Sequence, residues 1–155
     1  MGLFSRTPPV PLPEREDVRR ALNGMHAKDA ERLRSKRHLA EALAAVPETT
    51  SVRAVLSAVV TEPQTTDRGL LCVTSMAVTF DGEHSGRLEF PIAALREVGT
   101  VGAGTLRVDF DELAPGVRAL PGRESADHMD FSVTARPESV RYFVGQVEAS
   151  GLRSR

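Results

Sequence analysis

Cysteine, excess charge of one sign and long apolar runs are what this sequence has least of. Cys72 is the only cysteine among 155 residues, which excludes an intramolecular disulfide and a zinc site built from several cysteines. The formal net charge is -1, so no global field favours nucleic acid or an acidic membrane surface. No apolar run approaches the roughly 18–20 residues that cross a bilayer.

The first residues also lack the features of a targeting segment. Met1 to Arg6 has no charged stretch followed by an apolar one, as a signal peptide would. Arg6 stands where a myristoylation signal has Ser or Thr. We therefore expect a cytoplasmic protein.

Composition divides the chain into three zones, 1–13, 14–50 and 51–152. The first contains the proline-dense stretch Thr7–Pro13, which predicts an extended, flexible N-terminus. This stretch is a stiff spacer or a ligand for an SH3-like groove. The spacer is favoured because no Arg has the spacing that such ligands need. The second zone predicts a helical extension, and the third predicts a β-rich domain that folds without it.

Glu14 to Val46 is predicted to be helical. Acidic residues occupy its first turn, where they complement the helix dipole, and Pro47 ends it. Asn23-Gly24 is expected to divide the segment, because Gly costs about 1 kcal/mol relative to Ala inside a helix. The apolar stripe that we expect to be buried consists of Val18, Leu22, Met25, Leu33, Ala40, Leu43 and Ala44.

From Ser51 onward the apolar pattern has a period of two, which indicates strands. They are predicted at Ser51–Thr61, Leu70–Thr74, Ala77–Phe80, Arg87–Phe90, Glu97–Val101, Thr105–Phe110 and Met129–Thr134. Gly102-Ala103-Gly104 predicts a hairpin turn. Pro137 predicts the start of a last helix with the apolar face Val140, Phe143, Val144 and Val147. The fold class is α+β, a small β-barrel of about seven strands closed by this C-terminal helix.

Two segments resemble the bacterial PH-like and GRAM domains. Gly69 to Phe80 is similar to the family's G-x-L-x-x-T-x-x-x-x-x-F strand pair, and Phe90 to Val98 is similar to its F-P-hydrophobic-x-x-hydrophobic-x-x-V segment. The resemblance implies a PH-like barrel over residues 51–152 that binds lipid headgroups or protein segments. Family members that bind phosphate use Lys and Arg in the loop after the first strand. Here Glu62 to Arg68 has one Arg against two acids, so headgroup binding is not expected.

No combination of residues indicates catalysis or a metal site. Cys72 lies in an apolar segment and is expected to be a buried thiol. Asp127-His128-Met129-Asp130 is interpreted as a polar loop that enters a strand. Asp109, Asp111 and Glu112 are interpreted as a solvated strand end rather than a cation site. We therefore predict no enzymatic activity, no cofactor and no small-molecule substrate.

Arg32, Arg34, Lys36 and Arg37 form the candidate interaction surface. Such a run is commonly a solvated helix face; the alternatives are a protein interface or a nucleic-acid contact. Aromatic residues for base stacking are scarce nearby, so nucleic acid is not expected. The predicted function is a non-catalytic binding or adaptor module that engages a protein partner or a second copy. The alternative is a peripheral membrane or lipid-binding protein, with weak membrane contact.

Overall fold

The computed structural model describes residues 14–62, 65–121, 125 and 127–151, so the proline-dense stretch lies outside the described residues. Three helices come first, and strands with one final helix follow. The helices are α1 (Glu16–Asn23), α2 (Ala27–Ser35), α3 (Arg37–Ala44) and α4 (Pro137–Ala149). The strands are β1 (Val52–Glu62), β2 (Thr65–Thr74), β3 (Ala77–Gly82), β4 (Gly86–Pro91), β5 (Leu95–Thr100), β6 (Thr105–Phe110) and β7 (His128–Ser132).

The strands form one antiparallel sheet in the order β4-β3-β2-β1-β7-β6-β5. Strand β1 is central, because it pairs with β2 along its length and with β7 at Val59 and Val60. Within the described residues the outer strands β4 and β5 are not paired with each other, so the sheet is open. The predicted α+β class is confirmed, and hydrogen bonding does not close the expected barrel.

All the predicted strands are present, with one large difference in length. The hairpin turn at Gly102-Ala103-Gly104 is confirmed, with positive φ angles of 69° at Gly102 and 77° at Gly104 that suit glycine. Strand β2 begins at Thr65, whereas sequence analysis placed its start at Leu70. The predicted loop before Leu70 was therefore mostly wrong. Its polar residues pair with the last residues of β1 but have no apolar alternation to signal a strand.

The inner face of the sheet holds an aromatic core. Phe80 packs on Phe131 with ring centroids 5.2 Å apart, and Phe90 packs on Phe110 at 4.8 Å. Helix α4 adds Phe143, which is fully buried as predicted, together with buried Val140 and Val147. Val144, predicted on the same face, is only partly buried. The helix therefore lies against this core, as the sequence predicts for a closing helix.

The N-terminal helices break twice, where the sequence signalled one break. The break after Asn23 is confirmed, but α2 also ends at Ser35, and Lys36 is extended with φ -95° and ψ 112°. No glycine or proline marks this second break. After it, α3 starts in a new direction, and His38 Nε2 lies 2.9 Å from the carbonyl oxygen of Asp81 in β3. Ala40 and Leu43 are buried in α3 as the predicted stripe requires, whereas Ala44, predicted on the same stripe, is exposed.

The three helices cover the outer face of β1 and β2. Alternation along these strands places Val55, Leu70 and Cys72 on that face, and all three are buried. Helix α1 packs along β1, and α3 packs against β2. The buried helix residues Leu22 and Leu43 belong to the same hydrophobic cluster as the strand residues. The boundary at residue 51 stays a prediction, but the packing across it is continuous.

Candidate functional site

Helix α2 is joined to α4 through a buried carboxylate. Asp29 is only 5% exposed, and its Oδ2 accepts hydrogen bonds from Ser139 Oγ at 2.6 Å and from the Arg136 backbone N–H at 3.0 Å. The Arg136 guanidinium donates to Oδ1 at 3.3 Å. Ser139 Oγ in turn accepts from the backbone N–H of His26 at 2.9 Å. These bonds connect the first turns of α2 and α4 and fix the orientation of α2.

The pKa of Asp29 reflects this network. Burial raises this pKa. The Ser139 hydroxyl, the Arg136 backbone N–H and the Arg136 charge lower it by a larger amount, so the net shift is downward. The carboxylate is therefore charged and fully used inside the protein. It belongs to the packing of α2 and not to a surface open to a ligand.

A groove of about 660 Å³ lies between α2 and the outer face of the sheet, at the end of the helical cover. We call it the basic groove. Its helix wall consists of Lys28, Glu31, Arg32, Ser35 and Lys36. Its sheet wall consists of Ser57, Val59 and Arg68, together with Thr134 just beyond the end of β7.

Positive charge dominates the basic groove, since it has four cationic side chains and one carboxylate, Glu31. Within the described part of the chain, Lys28, Lys36 and Arg68 form no salt bridge, and Arg32 only donates to Thr134 Oγ1 at 3.3 Å. By contrast, Arg37 lies 2.7 Å from a carboxylate oxygen of Glu41. The groove therefore offers unpaired positive charge to a bound anion.

The structure brings together half of the predicted interaction surface. Arg32 and Lys36 line the basic groove. Arg34 is exposed outside it, and Arg37 begins α3, where it pairs with Glu41. Sequence analysis missed Lys28 and Arg68. Lys28, Arg32 and Lys36 are spaced four residues apart, a helical-face signal that could have identified Lys28. Nothing local in the sequence connects Arg68 to them.

Two polar segments that sequence analysis considered as possible sites have structural roles. Asp67, predicted on a surface loop, is 2% exposed and accepts from Ser85 Oγ at 2.6 Å and Ser85 N–H at 2.7 Å. Burial raises its pKa, but these bonds and one from the His84 backbone lower it overall. Asp67 thus holds the turn between β3 and β4. Asp67 is one of the two acidic residues between Glu62 and Arg68 that argued against phosphate binding, and it does not face solvent.

Ser125, Asp127 and His128 lie close together but are not arranged as a catalytic relay. Ser125 Oγ donates to Asp127 Oδ1 at 2.6 Å and lies 3.0 Å from His128 Nδ1. Asp127 Oδ1 is 3.3 Å from the same ring nitrogen. In a relay the imidazole stands between the hydroxyl and the carboxylate and uses both nitrogens. Here both contacts use Nδ1, so the cluster orders the chain before β7.

The remaining candidates give no other site in the described residues. Cys72 is buried as predicted, and burial raises the pKa of its thiol to about 12, which removes it as a nucleophile at neutral pH. No group of three or more His, Cys, Asp or Glu side chains in those ranges is placed to hold a metal ion. Nor is any helix in them long and apolar enough to cross a membrane.

No protein-family model matches the chain, and no curated protein matches it in sequence.

Proposed function

We propose that this chain is a non-catalytic binding module of PH-like architecture that holds a segment of another protein in the basic groove. The observation that carries the proposal is the set of unpaired cations on the two groove walls. Because α2 is fixed to α4 through Asp29, the helix wall is ordered before a partner arrives. An ordered wall lowers the entropic cost of association.

The PH-like part of the proposal draws on strand order and on the sequence resemblance. Strand β1 stands between β2, β3 and β4 on one side and β7, β6 and β5 on the other, and α4 packs against the inner core. A closed PH-like barrel requires the two outer strands to approach each other beneath that helix. We also propose a cytoplasmic location, where a single reduced thiol such as Cys72 is ordinary.

A second candidate is binding to an anionic membrane surface, which the same exposed cations favour. About 1 kcal/mol per basic residue near a charged membrane makes such a contact weak unless a second anchor adds to it. The sequence offers Leu3 and Phe4 for that anchor, and both lie outside the described residues. The protein partner is the first choice, because the cations line a groove with three on the helix wall and one on the sheet wall, which suits a bound segment better than a flat bilayer.

Photo-crosslinking followed by reconstitution tests the proposal. A photoreactive residue at the position of Ser35 in the groove marks the partner, mass spectrometry identifies it, and calorimetry measures the purified pair. We expect Arg32→Glu/Arg68→Glu to weaken binding more than about tenfold, as loss of several charged contacts does. The matched control Arg34→Glu/Arg141→Glu carries the same charge change at exposed positions outside the groove and should bind within about twofold of wild type.

Two outcomes would count against protein capture. The first is an identified partner whose affinity is the same for the groove variant and the control. The second is co-sedimentation with phosphatidylserine vesicles that is lost only in the groove variant, which would support the membrane candidate instead.

A further inference from the structure

We infer that the basic groove accepts an extended peptide in which acidic residues alternate with small apolar or hydroxyl residues. This inference rests on the proposed function and adds the chemistry of the partner. Its starting point is that the cations of the helix wall form a row. Lys28 and Arg32 are four residues apart on α2, which separates them by about 6 Å along the helix axis, and Lys36 follows about one turn later.

A row of this spacing matches an extended chain. In a β-strand, side chains two residues apart lie on the same side and are about 6.6–6.8 Å apart. Carboxylates at alternate positions of a bound segment therefore meet successive cations of the helix wall. A lone phosphate is a poorer match, since it needs donors that converge on one point.

The sheet wall determines which residues of the bound peptide can alternate with its acidic residues. Ser57 and Val59 are alternate residues on the outer face of β1, and both are partly buried. Arg68 pairs directly with Val59 across the two strands. Side chains of the bound segment that point away from α2 therefore meet a small apolar and hydroxyl surface with one cation at its end. Valine, threonine or serine suits the surface formed by Ser57 and Val59.

Single-stranded nucleic acid also presents evenly spaced anions, but the lining argues against it. Proteins that hold such strands stack bases on aromatic side chains, and none of the residues that line the basic groove is aromatic. An acidic peptide remains the ligand that matches both walls.

Two synthetic peptides of identical composition test the inference on the full-length protein. In the first, Glu alternates with Val or Thr; in the second, all Glu residues are contiguous. We expect the alternating peptide to bind at least about fivefold more tightly by fluorescence anisotropy at low salt, and its binding to weaken as salt screens the contacts. Arg32→Glu/Arg68→Glu should abolish the difference between the peptides, and Arg34→Glu/Arg141→Glu should preserve it.

Equal affinity for the two peptides, or tighter binding of oligothymidylate or phosphatidylserine vesicles, would overturn the inference. The two proposals fail separately. If an identified partner needs the groove but the peptides show no preference, protein capture stands and the alternating pattern is wrong. If neither the partner nor the peptides respond to the groove variant, both are wrong.

Discussion

The outer face of the sheet has two halves that differ in almost every respect. Around Val55, Leu70 and Cys72 of β1 and β2 it is apolar, and α1, α2 and α3 cover these three buried residues. Over β6 and β7 it has no helical cover in the described residues, and its side chains are polar and only partly buried. These are Thr105, Arg107, Asp109, His128, Asp130 and Ser132. The basic groove lies at the border, where the helical cover ends.

The strand sequences already differ in the same way. A strand buried on both faces has a continuous apolar run, and a strand with one solvated face alternates. Ala54–Leu56 and Leu70–Val73 are continuous buried runs, whereas Thr105–Phe110 alternates strictly between partly buried and buried residues. The continuous runs in β1 and β2 thus indicate that something must cover their second face. In this chain the N-terminal helices do so.

Among the predicted changes, removal of the helical cover should have the largest effect on the stability of the fold. Sequence analysis predicted that residues 51–152 fold alone, but deletion of residues 1–50 exposes the outer face of β1 and β2 and removes Asp29 from Ser139. Each large apolar side chain returned to water costs about 1.5–3 kcal/mol. Several of them together exceed the roughly 5–15 kcal/mol stability of a typical domain. We expect calorimetry to show no cooperative unfolding transition for the truncated chain. A sharp transition close to that of the full-length protein would restore the boundary at residue 51.

Loss of the carboxylate that anchors the cover should have the next largest effect. Asp29→Ala leaves the Ser139 hydroxyl and the Arg136 N–H without their buried acceptor, and we expect unfolding free energy to fall by about 3 kcal/mol. Asp109→Ala, on the uncovered half, should change it by less than about 0.5 kcal/mol. Urea denaturation of the two variants checks the comparison. Similar losses would show that the uncovered half is also buried in solution.

The same carboxylate should make stability depend on pH. Because its folded pKa is lowered, its contribution is complete above the ordinary aspartate pKa of about 3.9 and declines as the pH falls through the folded value. Asp29→Asn should therefore be less stable than wild type at neutral pH, and the difference should shrink in acid. A difference that grows below pH about 4 would contradict the downward shift.

A loss of unfolding free energy of similar size should follow from a cavity under the helical cover. Leu70 is fully buried on the outer face of β2, and Leu70→Ala should cost about 2–5 kcal/mol in unfolding free energy. Val101 projects from the β5–β6 turn and is 43% exposed, so Val101→Ala should cost less than about 0.5 kcal/mol. Urea midpoints with unchanged slopes would attribute the difference to the native state. Equal midpoints for the two variants would mean that the helices do not cover Leu70 in solution.

Local patterns predicted the elements well and their assembly poorly. The period-two segments, the Gly102–Gly104 turn and the Pro137 helix start are all local signals, and the structure contains each of them. The break at Lys36 has no such signal, and the helix that follows it contacts a segment distant in the sequence, through His38 and Asp81. Sequence analysis identified only part of the basic groove, because its residues also come from segments that are distant in the sequence. Arg68 meets α2 only after β2 has paired with β1.

The smallest effect should come from the ion pair on the uncovered half. Arg107 Nε donates to Asp130 Oδ1 at 2.7 Å, and Nη2 donates to Oδ2 at 3.0 Å, a side-on bidentate pair between β6 and β7. The Arg107 hydrogen bonds lower the pKa of Asp130, so the carboxylate is charged at neutral pH. Water competes for both groups and salt screens them, so Asp130→Asn should shift the urea midpoint only slightly. In about 1 M NaCl the shift should vanish, because the Debye length falls to about 3 Å. A shift as large as that of Leu70→Ala and insensitive to salt would mean that a second copy or another partner covers this half of the sheet.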